Sequence, residues 1–221
     1  IHALLLLALI PLAAAQPWTN CGRGQGNYSA GSPYETNLRR LLLFDLRLNA
    51  SSLFAEGSIG AAPDTAWALV LCRGDVSVSD CYDCVTRAGR DAATACNRTR
   101  DVALCYYHCY VRQADHDFRD PTRNSGEIQI GDGTYIMTED AEGYNRVIAG
   151  LLNATVQYAV DNSSTLFATG KSLGSNRGFR TLYSAAQCAP DLTPTQCRSC
   201  LQGILGRWPT TVPLQTTMLA G

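Results

Sequence analysis

The chain has 221 residues, of which 46% are hydrophobic and 10 are Cys, with a formal net charge of -1. That length suits one or two domains of ordinary size. The near-neutral balance leaves no electrostatic case for nucleic acid or an anionic membrane surface, and the cysteine usage points to an oxidising compartment.

Leu4 to Ala15 is an apolar run closed by Ala13-Ala14-Ala15 before Gln16. This is the h-region and small-residue cleavage site of a secretory signal peptide, assigned to residues 1–15 and expected to be clipped at its start. It is too short to span a bilayer, which takes about 20 apolar residues. Five Asn-x-Ser/Thr sequons, at Asn27, Asn49, Asn97, Asn153 and Asn162, are expected to carry N-linked glycans on a secreted chain.

Ser32-Pro33-Tyr34-Glu35 predicts a helix start, with Ser32 as N-cap, Pro33 as first helical residue and Glu35 as capping-box acceptor. Leu38, Leu41, Leu42, Phe44 and Leu46 then supply an apolar face. Ala55 to Ala66, with its Gly and Pro, reads as a loop, and Trp67 to Leu71 as a short buried strand ending at Cys72. A second helix is expected from Ser77, carrying Cys81 and Cys84 on one face. Asp101 to Gln113 alternates as one strand, with Cys105 and Cys109 facing the helices beside Ala103, Tyr107 and Val111. Asp115 to Gly126 reads as a linker. Beyond it come a strand from Thr134 to Met137 and a helix from Ala141 to Ala159. That helix should turn Ile148, Leu151, Leu152, Val156 and Val160 inward. A capping box at Thr193-Pro194-Thr195-Gln196 opens a helix through Cys197. Gly206 to Gly221 lacks alternation and reads as a poorly ordered end.

The most informative feature is a repeat. Cys72, Cys81 and Cys84 recur with identical spacing as Cys188, Cys197 and Cys200. Ser52-Leu53-Phe54-Ala55-Glu56-Gly57 precedes the first triplet, and Thr165-Leu166-Phe167-Ala168-Thr169-Gly170 the second. The chain is therefore two tandem copies of one module, placed at residues 16–115 and 127–221 with a linker at 116–126. Carried into the second copy, Cys96 and Cys109 would fall near Val212 and beyond Gly221, so that copy is expected to be truncated.

The order Cys21, Cys72, Cys81, Cys84, Cys96, Cys109 resembles the ginkbilobin-like, or salt-stress-response/antifungal, domain of land plants. Asn27-Tyr28-Ser29-Ala30 through Tyr34-Glu35-Thr36-Asn37-Leu38 resembles its first-helix region. Cys72-Arg73-Gly74-Asp75 and Cys188-Ala189-Pro190-Asp191-Leu192 are also typical of it. The resemblance implies an α+β fold: an antiparallel sheet packed by two helices in each of two tandem, disulfide-stapled domains, the second truncated. It implies the pairings Cys21–Cys96, Cys72–Cys81, Cys84–Cys109 and Cys188–Cys197, which spacing alone does not choose. Each bridge would contribute about 2–4 kcal/mol, mostly by constraining the unfolded chain. Cys105 and Cys200 are left as free thiols. Cys105 reads as a small buried hydrophobe. Cys200 is read three ways: as the link of a disulfide-bonded dimer, as a reactive thiol, or as a source of instability in the second copy.

Rival chemistries fit poorly. Cys81-Tyr82-Asp83-Cys84 and Cys197-Arg198-Ser199-Cys200 have the C-x-x-C form of redox sites, but Cys72 and Cys188 offer each a structural partner, and no βαβ pattern surrounds them. His2, His108 and His116 lack ligand spacing to the cysteines. Gly170-Lys171-Ser172-Leu173-Gly174 matches a nucleophile elbow without its strand–turn–helix setting. Gly22-Arg23-Gly24-Gln25-Gly26 lacks phosphate-loop spacing. No enzyme, cofactor or metal is expected.

Founding members of the family bind mannose through an Asn just after the first cysteine, an Arg six before the last and a Glu five after it. Those positions here are Gly22, Ala103 and Ala114, which cannot direct hydrogen bonds to sugar hydroxyls. The expectation is a secreted, non-catalytic apoplastic binding protein of plant defence or stress signalling. Its partner would be a cell-wall glycan or a receptor ectodomain, with no nucleic acid and no membrane span. The alternatives are an antifungal lectin with a different sugar site, and a truncated ectodomain of a cysteine-rich receptor-like kinase.

Overall fold

The computed structural model describes residues 17–22, 26–46, 52–119, 128–135, 140–174, 181–206 and 215–220. The expected signal peptide, Asn49 and Met137 lie outside them. The first copy runs β1 (Trp18–Cys21), α1 (Pro33–Arg40), a π-helical turn (Leu41–Asp45), β2 (Phe54–Ile59), β3 (Ala66–Cys72), α2 (Val78–Ala95), β4 (Val102–Cys105) and β5 (Cys109–Ala114). The second runs β6 (Ile128–Tyr135), α3 (Ala141–Asp161), β7 (Phe167–Ser172), β8 (Leu182–Gln187), α4 (Pro194–Gly206) and β9 (Gln215–Ala220).

Helix starts follow local chemistry. The Ser32 hydroxyl accepts from the Glu35 N–H at 3.2 Å, and the Glu35 carboxylate reaches back to the Gly31 N–H at 2.6 Å, one residue beyond a strict capping box. Ser77 caps α2 through the Asp80 N–H at 3.1 Å. At α4 the exchange is reciprocal: Thr193 Oγ1 accepts from the Gln196 N–H, and Gln196 Oε1 accepts from the Thr193 N–H at 2.9 Å.

The first copy forms one antiparallel sheet of order β1-β4-β5-β3-β2. Its inner face carries Ala66, Ala68, Val70 and Cys72 of β3, Val102 and Leu104 of β4, and Cys109, Val111 and Gln113 of β5, all buried. Cys81, Cys84, Val85, Ala88 and Ala92 of α2, with Leu38, Leu41, Leu42 and Leu46, complete the core on that side.

Several expectations are corrected. Phe54–Ile59 is a strand, not loop, because its small residues hide the period of two: Ala55 and Gly57 face in while Phe54, Glu56 and Ser58 face out against β3. Asp101–Gln113 is a hairpin rather than one strand. The reversal at residues 106–108 opposes Cys105 to Tyr110 on the outer face and leaves Cys109 inward. Cys105 is half-buried, not core, and Tyr107 stands out at the turn. Phe44 is 61% exposed because the π turn, closed by the Leu46 N–H on the Leu41 carbonyl, rotates it out while keeping Leu41, Leu42 and Leu46 in. In α3, Tyr144, Thr155, Val156, Ala159 and Val160 are buried, whereas Ile148, Leu151 and Leu152 are only partly so. Gln215–Ala220, expected to lack structure, pairs antiparallel with β6, which starts six residues earlier than the strand anticipated at Thr134.

The duplication reaches backbone detail. Leu53 and Leu166 hold matching positions and both adopt the left-handed region, φ 63° and 51°. Each carbonyl accepts from a triplet cysteine's N–H: Cys72 to Leu53 at 2.7 Å and Cys188 to Leu166 at 3.0 Å. A leucine in that region is uncommon, and here each is tied down by its own backbone bond.

Candidate functional site

Four disulfides staple the copies: Cys21–Cys96, Cys72–Cys81 and Cys84–Cys109 in the first, Cys188–Cys197 in the second. Two of them tie α2 to neighbouring strands, Cys81 to β3 and Cys84 to β5. Cys81 and Cys84 are thus each bonded elsewhere, not to one another. Cys200 is free and exposed. Cys105 is free, and burial pushes its thiol pKa up. Asn27, Asn97, Asn153 and Asn162 are all exposed. The Asn27 side chain already donates to the Asn97 carbonyl at 2.8 Å. His108 lies in the β4–β5 turn, and His116 Nδ1 is 3.1 Å from Asp115 Oδ1.

The outer face of the first sheet is where the family's sugar-contact positions fall. Strand parity places Ala103 of β4 and Arg112 and Ala114 of β5 there, with Trp67 of β3 opposite Ala114 and Glu56 of β2 further across. Ala103 and Ala114 are buried despite facing away from the helices. The cover is the chain that follows β5. Phe118 is 5% exposed, with the Arg112 guanidinium 4.7 Å from its ring centroid. Arg119 lies 5.1 Å from the Trp67 ring centroid, donates to Glu56 Oε1 at 2.8 Å and forks onto both Asp117 oxygens at 2.9 Å. Residues 117–119 therefore form a strap over this face, not the free linker expected there. One aromatic and one arginine in a polar run carry no periodic signal, so the sequence did not disclose it.

Gly22 continues β1, its N–H donating to the Asp101 carbonyl at 2.8 Å. A Cβ at Gly22 would sit 2.7 Å from the Asp101 Cβ, so this packing has no room for the side chain the family places there. Asp101 is engaged with Arg112 at 3.8 Å.

A second feature gathers at the β4–β5 turn. Tyr107 is 69% exposed and its ring contacts His108, centroids 5.3 Å apart. The Arg73 guanidinium lies 4.3 Å from the Tyr107 ring centroid, donates to the Tyr107 carbonyl at 3.2 Å and pairs with Asp75 at 2.5 Å. Beside this cluster the copies meet. Gln187 Nε2 donates to the Cys72 carbonyl at 2.9 Å, and the Gly74 N–H donates to Gln187 Oε1 at 3.2 Å. The turn thus presents an exposed aromatic ring backed by a cation. A further cleft of about 170 Å³ between α1 and α2 is lined by Tyr28, Glu35, Arg39, Leu42, Arg90 and Ala93. Among the described residues no helix is long and apolar enough to cross a membrane.

The family described as salt stress response/antifungal matches residues 20–116 and 131–218. Cysteine-rich receptor-like protein kinase 6 of Oryza sativa subsp. japonica is 36% identical over 222 residues, 94% of this chain and 32% of that kinase. The chain thus spans about a third of the kinase's length. Putative cysteine-rich repeat secretory protein 21 of Arabidopsis thaliana is 30% identical over 225 residues, 95% of this chain and 85% of that protein. Among solved structures, the tandem DUF26 ectodomain of the Arabidopsis thaliana cysteine-rich receptor-like protein PDLP8 superposes with a TM-score of 0.71 at 19% identity. That match covers 94% of this chain and 95% of that one.

Proposed function

The chain belongs to the salt stress response/antifungal family, and on that premise we propose that it is a secreted, non-catalytic binding protein of the plant apoplast acting in defence or stress signalling. The observation that carries this reading is the state of the outer sheet face. The positions that contact sugar in founding members are Gly22, Ala103 and Ala114, and the last two lie buried. Recognition therefore falls to another surface, and the Tyr107–Arg73 tip has the composition of one: an exposed aromatic body held by a cation, beside the joint between copies. A cell-wall glycan or a receptor ectodomain is the partner class.

The test is a glycan array together with a panel of purified receptor ectodomains, probed with the secreted protein and with Tyr107→Ala. Saturable binding that falls with Tyr107→Ala supports the reading. Undiminished binding by that variant would place recognition elsewhere.

Two other readings have specific support. The α1–α2 cleft, with Glu35, Arg39 and Arg90 around Tyr28, fits an antifungal lectin with its own sugar site, and Arg90→Ala would then abolish array signals. The match to about a third of a cysteine-rich receptor-like kinase supports a receptor ectodomain, which full-length transcript sequencing decides.

A further inference from the structure

The π turn after α1 widens the backbone so that two successive leucines, Leu42 and Leu43, reach α2. They meet it at Gly89. A Cβ added there would stand 2.8 Å from Leu43 Cδ2 and 3.5 Å from Leu42 Cβ, so the bare glycine admits both. Beside this contact lies the α1–α2 cleft of about 170 Å³, and all of its lining residues belong to the first copy.

The polar groups of the cleft are unbalanced in charge. Arg39 of α1 and Arg90 of α2, one from each helix, are exposed and have no ion-pair or hydrogen-bond partner among the described residues. Glu35 is the one carboxylate among the described lining residues. Its Oε2 accepts from the Gly31 N–H at 2.6 Å, and its Oε1 makes no hydrogen bond among the described residues. Tyr28 is buried, and desolvation with the neighbouring Glu35 charge raises its pKa, so the phenol stays protonated. Leu43 and Ala93 supply an apolar wall.

Each simple ligand class leaves part of this lining unused. An inorganic anion would answer the arginines, but it would leave the leucine wall wet and would face Glu35. A fatty chain would answer the wall and leave Glu35 without a donor. A neutral sugar would leave both cations unmatched. A uronic-acid ring meets all three: a carboxylate for the guanidinium groups, hydroxyl donors for Glu35 Oε1, and a C–H face for Leu43 and Ala93. At about 170 Å³ the cleft is smaller than the roughly 300 Å³ at which drug-sized pockets begin, which suits one pyranose ring with its neighbours left in solvent.

We propose that the α1–α2 cleft binds one uronic-acid residue of an acidic polysaccharide, with Arg39 and Arg90 holding its carboxylate and Glu35 accepting from its hydroxyls. The proposal rests on the reading of this cleft as a sugar site and narrows that site to acid sugars.

Galacturonate, galactose and acetate, titrated separately into the whole chain while the α1 and α2 amides are followed by NMR, test it. Galacturonate should saturate in the millimolar range, and galactose and acetate should each bind about ten-fold more weakly. Arg39→Ala and Arg90→Ala should each weaken galacturonate about ten-fold, through loss of a charge-assisted hydrogen bond, and leave galactose unchanged. Ala93→Leu fills the cleft with a good helix former and removes no charge, so it should abolish galacturonate binding. Equal binding of galactose and galacturonate by the wild type would overturn the acid preference and leave the sugar site standing. Saturation by neither sugar would overturn both. Acetate bound as tightly as galacturonate would show a general anion patch and overturn the proposal. So would galacturonate binding that survives Ala93→Leu.

Discussion

Gln187 holds the Cys72–Gly74 turn by both polar atoms of its side-chain amide, Oε1 accepting from the Gly74 N–H at 3.2 Å and Nε2 donating to the Cys72 carbonyl at 2.9 Å. The residue opposite Gln187 in its own hairpin, Phe167, lies against the same glycine. A Cβ added at Gly74 would stand 2.5 Å from Phe167 Cγ. One glycine therefore permits both the amide clamp and the ring contact by which the second copy meets the first.

Gly74→Ala is expected to push Phe167 away and lengthen the Gln187 bonds, costing about 1–3 kcal/mol of inter-copy stability as an overpacking change. Gln187→Leu should cost about 1–2 kcal/mol, since it leaves the Gly74 N–H and Cys72 carbonyl without their partner. Limited proteolysis between the copies reads both. Cleavage rates equal to wild type in both variants would show that the contact does not join them.

The first-copy bridges should differ in worth. Cys21–Cys96 closes 75 residues and Cys72–Cys81 only 9. In the chain-entropy account the longer loop is worth about 2 kcal/mol more. Paired Cys→Ser variants compared by thermal unfolding should preserve that order. Peptide mapping that joined Cys81 to Cys84 would contradict the framework outright.

Thiol chemistry should separate the two free cysteines. A disulfide reagent is expected to titrate Cys200 in the native chain and Cys105 only on unfolding, because Cys105 is half-buried with a raised pKa. Cys200→Ser should remove the fast phase. A fast phase that persists would place Cys105 in contact with solvent.

The strap over the outer sheet face should respond to acid. Hydrogen bonds from Arg119 hold the Asp117 carboxyl below the ordinary carboxylate range. A depressed folded pKa gives stability that is present above the unfolded value of about 4 and lost as pH falls through the folded one. Arg119 then loses Asp117 and loosens from Trp67. The difference in tryptophan fluorescence between the wild type and Trp67→Phe should change below about pH 4 and be pH-independent in Arg119→Ala. Mannose should show no saturable binding in the millimolar range before or after the Phe118→Ala change, since Ala103 and Ala114 offer it nothing.

What the sequence by itself determined was local or periodic. Ser32, Ser77 and Thr193 announce helix starts because a cap bonds within three residues. β3 is visible because Trp67 to Leu71 is a short apolar run ending at Cys72, while that Ala66, Ala68, Val70 and Cys72 form its buried face is seen only in the structure. The cysteine triplets reveal the duplication because their spacing survives divergence elsewhere. Tertiary structure decided the rest. Phe54–Ile59 is a strand because β3 lies beside it, and its own Gly and Ser residues favour no element. Phe44 turns outward because one π turn shifts the helix phase, which no apolar count can show. Phe118 and Arg119 cover a sheet face because Arg112, Trp67 and Glu56, far apart in sequence, converge there.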